Sequence, residues 1–127
     1  MAVGGDSAGG NLAAVVSQSA RADGGPRPAL QWLVYPRTDF TARTRSLSLF
    51  ADGFLLTKRD IDWFETQYLA DSDLEPTDPR VSPLLAEDLS GLPPALIATA
   101  GFDPCATRAS NTPRHCEPPE PRSTCAP

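Results

Sequence analysis

The sequence predicts an α/β protein built on a parallel sheet, and three observations carry that prediction. Two apolar runs, 29–35 and 94–100, have the length and the β-branched or aromatic content of buried parallel strands. Helix-period patterns and a long polar excursion separate them, so the order strand, helix, strand, excursion, strand emerges. Third, Gly5-Asp6-Ser7-Ala8-Gly9 has the form G-x-S-x-G, a pattern that turns a strand sharply into a helix.

Met1-Ala2-Val3-Gly4 supplies the strand stub before that turn. Behind it, with Gly10 and Asn11 adjoining, Leu12, Val15, Val16 and Ala20 recur as one apolar stripe at helical spacing. Asp23-Gly24-Gly25-Pro26 ends the helix with breakers. Pro36 closes the first apolar run, and 38–52 reads as polar loop with a short helical piece around 46–50. Thr57-Lys58-Arg59-Asp60 resembles a capping box with Asp in place of Glu. Ile61, Phe64, Glu65, Tyr68 and Leu69 follow at helical spacing, with Trp63 beside them. An acidic loop punctuated by Pro76 and Pro79 fills 71–80, and 81–85 is expected at the surface.

At the turn, glycines let backbone pass close by without a Cβ clash and hold the Ser7 hydroxyl proud of the sheet. The Ala8 N–H is then aimed where an oxyanion would form, and the helix dipole favours negative charge there. Three chemistries fit the string: a nucleophile elbow, the serine segment of a chymotrypsin-type protease, and a glycine-rich phosphate cradle. A helical stripe after the serine argues against the protease, which needs short strands there. No lysine follows the glycines, which excludes a Walker-type loop. In parallel sheets functional groups gather at the carboxyl ends of strands, where Ser7 and Asp103 both fall. On local grounds alone an acidic residue such as Asp103 at a strand end is more often a turn or cap residue.

A formal net charge of −5 over 127 residues argues against nucleic acid or an anionic membrane as partner. No apolar run approaches the roughly 20 residues that a membrane-spanning helix needs. No charged-then-apolar leader precedes the elbow, so the cytoplasm is the expected compartment. Composition changes abruptly after Pro104. Cys105, Cys116, Cys125 and His115 all lie beyond it, with five of the fourteen prolines and no Val, Ile, Leu, Met, Phe, Trp or Tyr. Such a segment cannot bury enough apolar area to offset its chain entropy, so 105–127 is expected to be disordered beside a domain at 1–104. The cysteines lack any Cys-x-x-Cys pair and are odd in number, so neither zinc nor a disulfide framework is expected.

Gly-Asp-Ser-Ala-Gly-Gly-Asn-Leu-Ala-Ala at 5–14, Leu33-Val34-Tyr35-Pro36, Ser82-Pro83-Leu84, and Leu96-Ile97-Ala98-Thr99-Ala100-Gly101-Phe102-Asp103-Pro104 occur in this order. Together they resemble the bacterial hormone-sensitive-lipase-like esterases of the α/β-hydrolase fold, over residues 2–104. The resemblance implies a partial α/β-hydrolase sheet, with flanking helices and the remnant of a helical lid at about 38–80. It implies a small ester or lipid as substrate, no cofactor and no metal. Ser7 becomes the nucleophile, Ala8 one oxyanion donor, and Asp103 the acid that orients the triad histidine. Phe54, Leu55, Trp63 and Phe64 are expected either to line the acyl pocket or to pack the lid on the core.

The family's His-Gly-Gly-Gly loop has no counterpart in these residues, and its triad histidine belongs well beyond Asp103. His115 falls in the anomalous tail and is not expected to serve as general base. The 127-residue chain is therefore expected to turn over little or not at all, as a fragment. After Pro104 the family has Leu-Arg-Asp-Glu-Gly. GC-rich codons for 105–111, read one base out of register, spell that motif, so a one-base frameshift is inferred. The gene sequence tests it: the codons after Pro104 should encode Leu-Arg-Asp-Glu-Gly in the neighbouring frame, and any other reading there refutes the shift.

Overall fold

Side-chain alternation decides which residues of the strands meet the helix layer. In the computed structural model, which describes residues 1–105, β1 (Ala2–Asp6), β2 (Leu30–Val34) and β3 (Ala95–Ala98) form a parallel sheet in the order β1-β2-β3. Gly5 stands opposite Leu33, and Leu33 opposite Ile97. The helix α1 (Ala8–Ala22) connects β1 to β2 and packs on both. Its Ala13 and Ala14 meet Leu33, with Val3, Ala95 and Ile97 partly buried around them.

The expectation of strands buried on both faces is corrected. Trp32 and Leu96, paired across β2 and β3, point to the opposite face and are 55% and 58% exposed. Period-2 alternation puts them there, away from α1. Both runs are also shorter than the apolar stretches that announced them, spanning five and four residues.

α1 corrects a second expectation. Its buried face is Gly10, Asn11, Ala13, Ala14 and Ser17, whereas Leu12 and Val16 are about half exposed. The helix leaves the strand so abruptly that only small or hydrogen-bonded side chains fit beneath it. Ser17 is accommodated because its Oγ donates to the Ala13 carbonyl one turn back. The breakers act as anticipated: α1 stops at Ala22, Gly24 takes φ +64°, and the Gly25 N–H returns to the Ala20 carbonyl.

In the excursion, α2 (Arg45–Leu49) is capped by Thr44, whose side chain accepts from the Leu47 N–H. The capping box of α3 (Lys58–Leu69) is fully formed between Thr57 and Asp60. Those bonds from Thr57 hold the Asp60 carboxyl below its usual range. Hydrogen bonds from Arg80 likewise hold the Asp78 carboxyl down at about 2.

Residues 81–85 were expected at the surface, and the structure reverses this for the first three. Val81, Ser82 and Pro83 are fully buried, Pro83 opening a 3-10 turn (Pro83–Leu85). Burial of this irregular backbone is possible because its polar groups are met. The Val81 and Pro83 carbonyls accept from the Asn11 and Gln18 side chains, and the Leu84 N–H donates to the Thr38 carbonyl. Ser82 Oγ donates to the Pro76 carbonyl and accepts from the Phe40 N–H. Cys105 is described and buried, so the tail's first residue is placed within the fold. His115, Cys116, Cys125 and the inferred out-of-frame stretch from 106 onward lie outside the described residues.

Candidate active site

Ser7 joins β1 to α1 with φ 49° and ψ −113°, a left-handed backbone that a non-glycine residue adopts only at a cost of about 1–3 kcal/mol. Its N–H donates to the Val34 carbonyl at 2.9 Å, and its carbonyl accepts from the Asn11 N–H at 3.1 Å. Serine is a favoured N-cap residue, yet here it makes no side-chain cap bond. The φ and ψ that tighten the turn aim Oγ outward instead. Ala8 is the first residue of α1, so its N–H has no partner within the helix.

The turn is possible because Gly5 puts no Cβ against the backbone of Gly9. A Cβ on Gly5 would stand 2.5 Å from the Gly9 carbonyl carbon and 2.7 Å from its oxygen, which are rigid backbone atoms. Gly9 is not constrained in the same way: a Cβ there meets only Asp6 Oδ1, at 3.9 Å. Gly10 is intermediate, its Cβ position lying 3.0 Å from the Pro36 side chain.

Ser7 and Ala8 form one wall of a cavity of about 500 Å³. α3 supplies the facing wall through Ile61, Phe64, Glu65 and Tyr68, one helical stripe, while Leu12 and Leu56 add apolar surface. Arg37, Phe40 and Cys105 complete the lining with Asn11 and Asp6. An ion pair joins Arg37 to Glu65 across the loop-to-α3 junction. The same guanidinium lies 4.2 Å from the Phe40 ring centroid, and Phe40 in turn meets the Tyr68 ring at 6.1 Å.

Of the four residues expected at the acyl pocket, Phe64 borders this cavity and the other three do not. Leu55 projects fully into solvent. The Phe54 ring packs between Phe50 and Phe102. Trp63 lies off the cavity-facing stripe of α3, edge-on to Phe64 and beside a separate depression with Thr57 and Arg59. One residue's step on a helix, about 100°, separates the two aromatic neighbours. Leu12, Leu56, Arg37 and Phe40 were not singled out for the site. For Leu12 the signal existed: a large apolar residue on a helix whose inner face takes only small ones.

Ser7 directly follows the carboxyl end of β1 and Asp103 comes some residues after that of β3, the parallel strand on the other side of β2. Asp103 Oδ1 accepts from the Cys105 N–H at 2.8 Å, and the Pro104 carbonyl accepts from Ser46 Oγ at 2.7 Å. Asp103 does not border the cavity, but Cys105, two residues on, does. Among the described residues there is no histidine, and no three His, Cys, Asp or Glu side chains converge as metal ligands would.

Comparison with known proteins gives a consistent result. The family described as alpha/beta hydrolase fold matches residues 1–118. Over 108 residues the chain is 75% identical to the carboxylic ester hydrolase LipN of Mycobacterium tuberculosis, covering 82% of this chain and 29% of the relative. It is 37% identical to an ethyl acetate hydrolase of Pseudomonas putida over 118 residues, covering 92% of this chain and 37% of that one. A crystal structure of a thermostable esterase from Pseudomonas putida superposes with a TM-score of 0.80 at 42% identity, over 86% of this chain and 34% of that one. The chain thus spans about a third of the length of the proteins it matches.

The glycine geometry separates two substitutions that a motif treats alike. Gly5→Ala, forced against backbone, should cost about 2–3 kcal/mol or more. Gly9→Ala, in open helix, should be neutral or stabilising by up to about 1 kcal/mol. Urea denaturation of the two variants checks this, and equal losses would refute it.

Proposed function

The chain belongs to the alpha/beta hydrolase fold family, and from that premise we propose that it carries the nucleophile-and-acid segment of a serine carboxylic ester hydrolase. One observation carries the proposal: the strained, outward-facing Ser7 at a strand-to-helix turn, beside a cavity large enough for a small ester. Ester hydrolysis is also what the similar proteins LipN and the Pseudomonas putida enzymes are named for.

In this mechanism Ser7 Oγ attacks the ester carbonyl carbon and its proton passes to a histidine. The carbonyl oxygen becomes an oxyanion, which the Ala8 N–H stabilises at the positive end of the α1 dipole. Collapse of the tetrahedral intermediate breaks the ester C–O bond. The histidine protonates the departing alcohol and leaves an acyl-serine, which water then cleaves by the same steps. Asp103 keeps that histidine in the right tautomer and orientation. Leu12, Leu56, Ile61 and Phe64 give the cavity an apolar wall suited to a short or medium acyl chain. The chemistry calls for no metal or cofactor. No described helix is long and apolar enough to cross a membrane.

A second reading, a piece with no turnover of its own, is favoured by the histidine count, since the sequence's one histidine is His115. Both are tested with p-nitrophenyl butyrate. The purified 127-residue chain should show little or no hydrolysis; serine-dependent turnover by it would sink the second reading. Spliced into LipN in place of the matching segment, residues 1–104 should support hydrolysis that Ser7→Ala lowers by on the order of a millionfold. A Ser7→Ala chimera within tenfold of its parent would overturn the nucleophile assignment.

A further inference from the structure

Phe54, which does not reach the cavity beside Ser7, makes a different contact that bears on the site. Its ring stacks on Phe102 at a centroid distance of 5.9 Å and an interplanar angle of 12°. Phe50 closes the group, edge-on to Phe54 at 5.3 Å and to Phe102 at 5.8 Å. Phe102 is the residue before Asp103. On the other side of Asp103, the Pro104 carbonyl accepts the buried hydrogen bond from Ser46 Oγ. Both contacts come from α2 and the turn that follows it, and they grip the acid-bearing loop on either flank of its carboxylate.

We propose that Ser46 and the Phe50–Phe54–Phe102 ring cluster form a clamp that fixes the backbone around Asp103, making Ser46 and Phe102 positioning residues for the acid. The physical need is plain. Asp103 sits beyond the last ladder pair of β3, in a loop where its carboxylate accepts a local bond from the Cys105 N–H. A carboxylate that must hold a histidine in place loses its effect if the loop shifts by about 1 Å. Ser46 resists such a shift because the Pro104 carbonyl, buried with it, would lose its donor. The rings resist it through edge-on and stacked aromatic packing. The excursion, whose α3 walls the cavity, thereby also sets the acid through α2.

The inference rests on Asp103 being the acid, but its test does not require turnover. The Cys105 amide reports the bond to Asp103 Oδ1, and its hydrogen exchange can be followed by NMR in the 127-residue chain. Ser46→Ala should speed that exchange about tenfold, as loss of one buried hydrogen bond implies. Ser46→Thr, which keeps the hydroxyl, should restore it, while the Ala13 and Ala14 amides of α1 stay unchanged in both. Exchange at Cys105 within twofold of the parent in Ser46→Ala would overturn the clamp. If Ser46→Ala loosens α1 as well, Phe102→Leu decides: Phe102 is 73% exposed, so the core survives its replacement. Faster exchange at Cys105 alone supports the clamp in that variant, and unchanged exchange refutes it. Failure of the hydrolase reading would show instead as Ser7-independent turnover in the chimera, with Cys105 exchange unaffected.

Discussion

The side chain of Asn11, one turn into α1, is the interaction on which the rest of the arrangement depends. Its Nδ2 donates to the Arg37 carbonyl at 2.6 Å and to the Val81 carbonyl at 2.9 Å, spanning 26 and 70 residues of sequence. Both amide hydrogens are thereby used inside the protein. A single buried carboxamide ties the elbow helix to the segment leaving β2 and to the segment returning from the excursion. Around it run further stitches: Gln18 to Pro83, Leu84 to Thr38, and Ser82 to Phe40 and Pro76. Together they let two stretches of irregular backbone lie buried, where unmet carbonyls would otherwise cost about 1–3 kcal/mol each.

The strained turn and the cavity both follow from that tie. Ser7 holds a backbone conformation that nothing local favours. It persists because Gly5 and Gly9 pack backbone to backbone and α1 is pinned from its inner face. With Arg37 and Phe40 anchored next to Asn11, α3 can settle opposite the serine through Glu65 and Tyr68. The outcome is a hydroxyl that the helix does not use, facing apolar surface from a distant helix. Such pre-organisation suits the nucleophile role proposed for Ser7.

The features legible in the sequence were the local ones. Glycines at a strand-to-helix turn, the Thr57–Asp60 box and the breakers after α1 each depend on a few neighbouring residues. What escaped sequence reasoning depends on partners far along the chain. Asn11 reads as a polar residue near a helix start, and its two acceptors are backbone carbonyls with no residue-type signature. For the same reason Val81-Ser82-Pro83 resembled surface loop. The stripe of Leu12, Val15 and Val16 misled because apolar periodicity finds the large residues, whereas a helix held tight to a sheet buries its small ones. Phe64 and Trp63 are adjacent and chemically alike; only the rotation of α3, set by the Glu65–Arg37 pair and by buried Ile61, decides which faces the serine.

Asn11 holds the excursion and the elbow together, and equilibrium urea unfolding of Asn11→Ala measures that hold. Removing the carboxamide takes a buried hydrogen bond from each of two carbonyls, so Asn11→Ala should lose roughly 2–5 kcal/mol, or show no cooperative transition at all. A change smaller than about 0.5 kcal/mol, the range of an ordinary surface substitution, would contradict it.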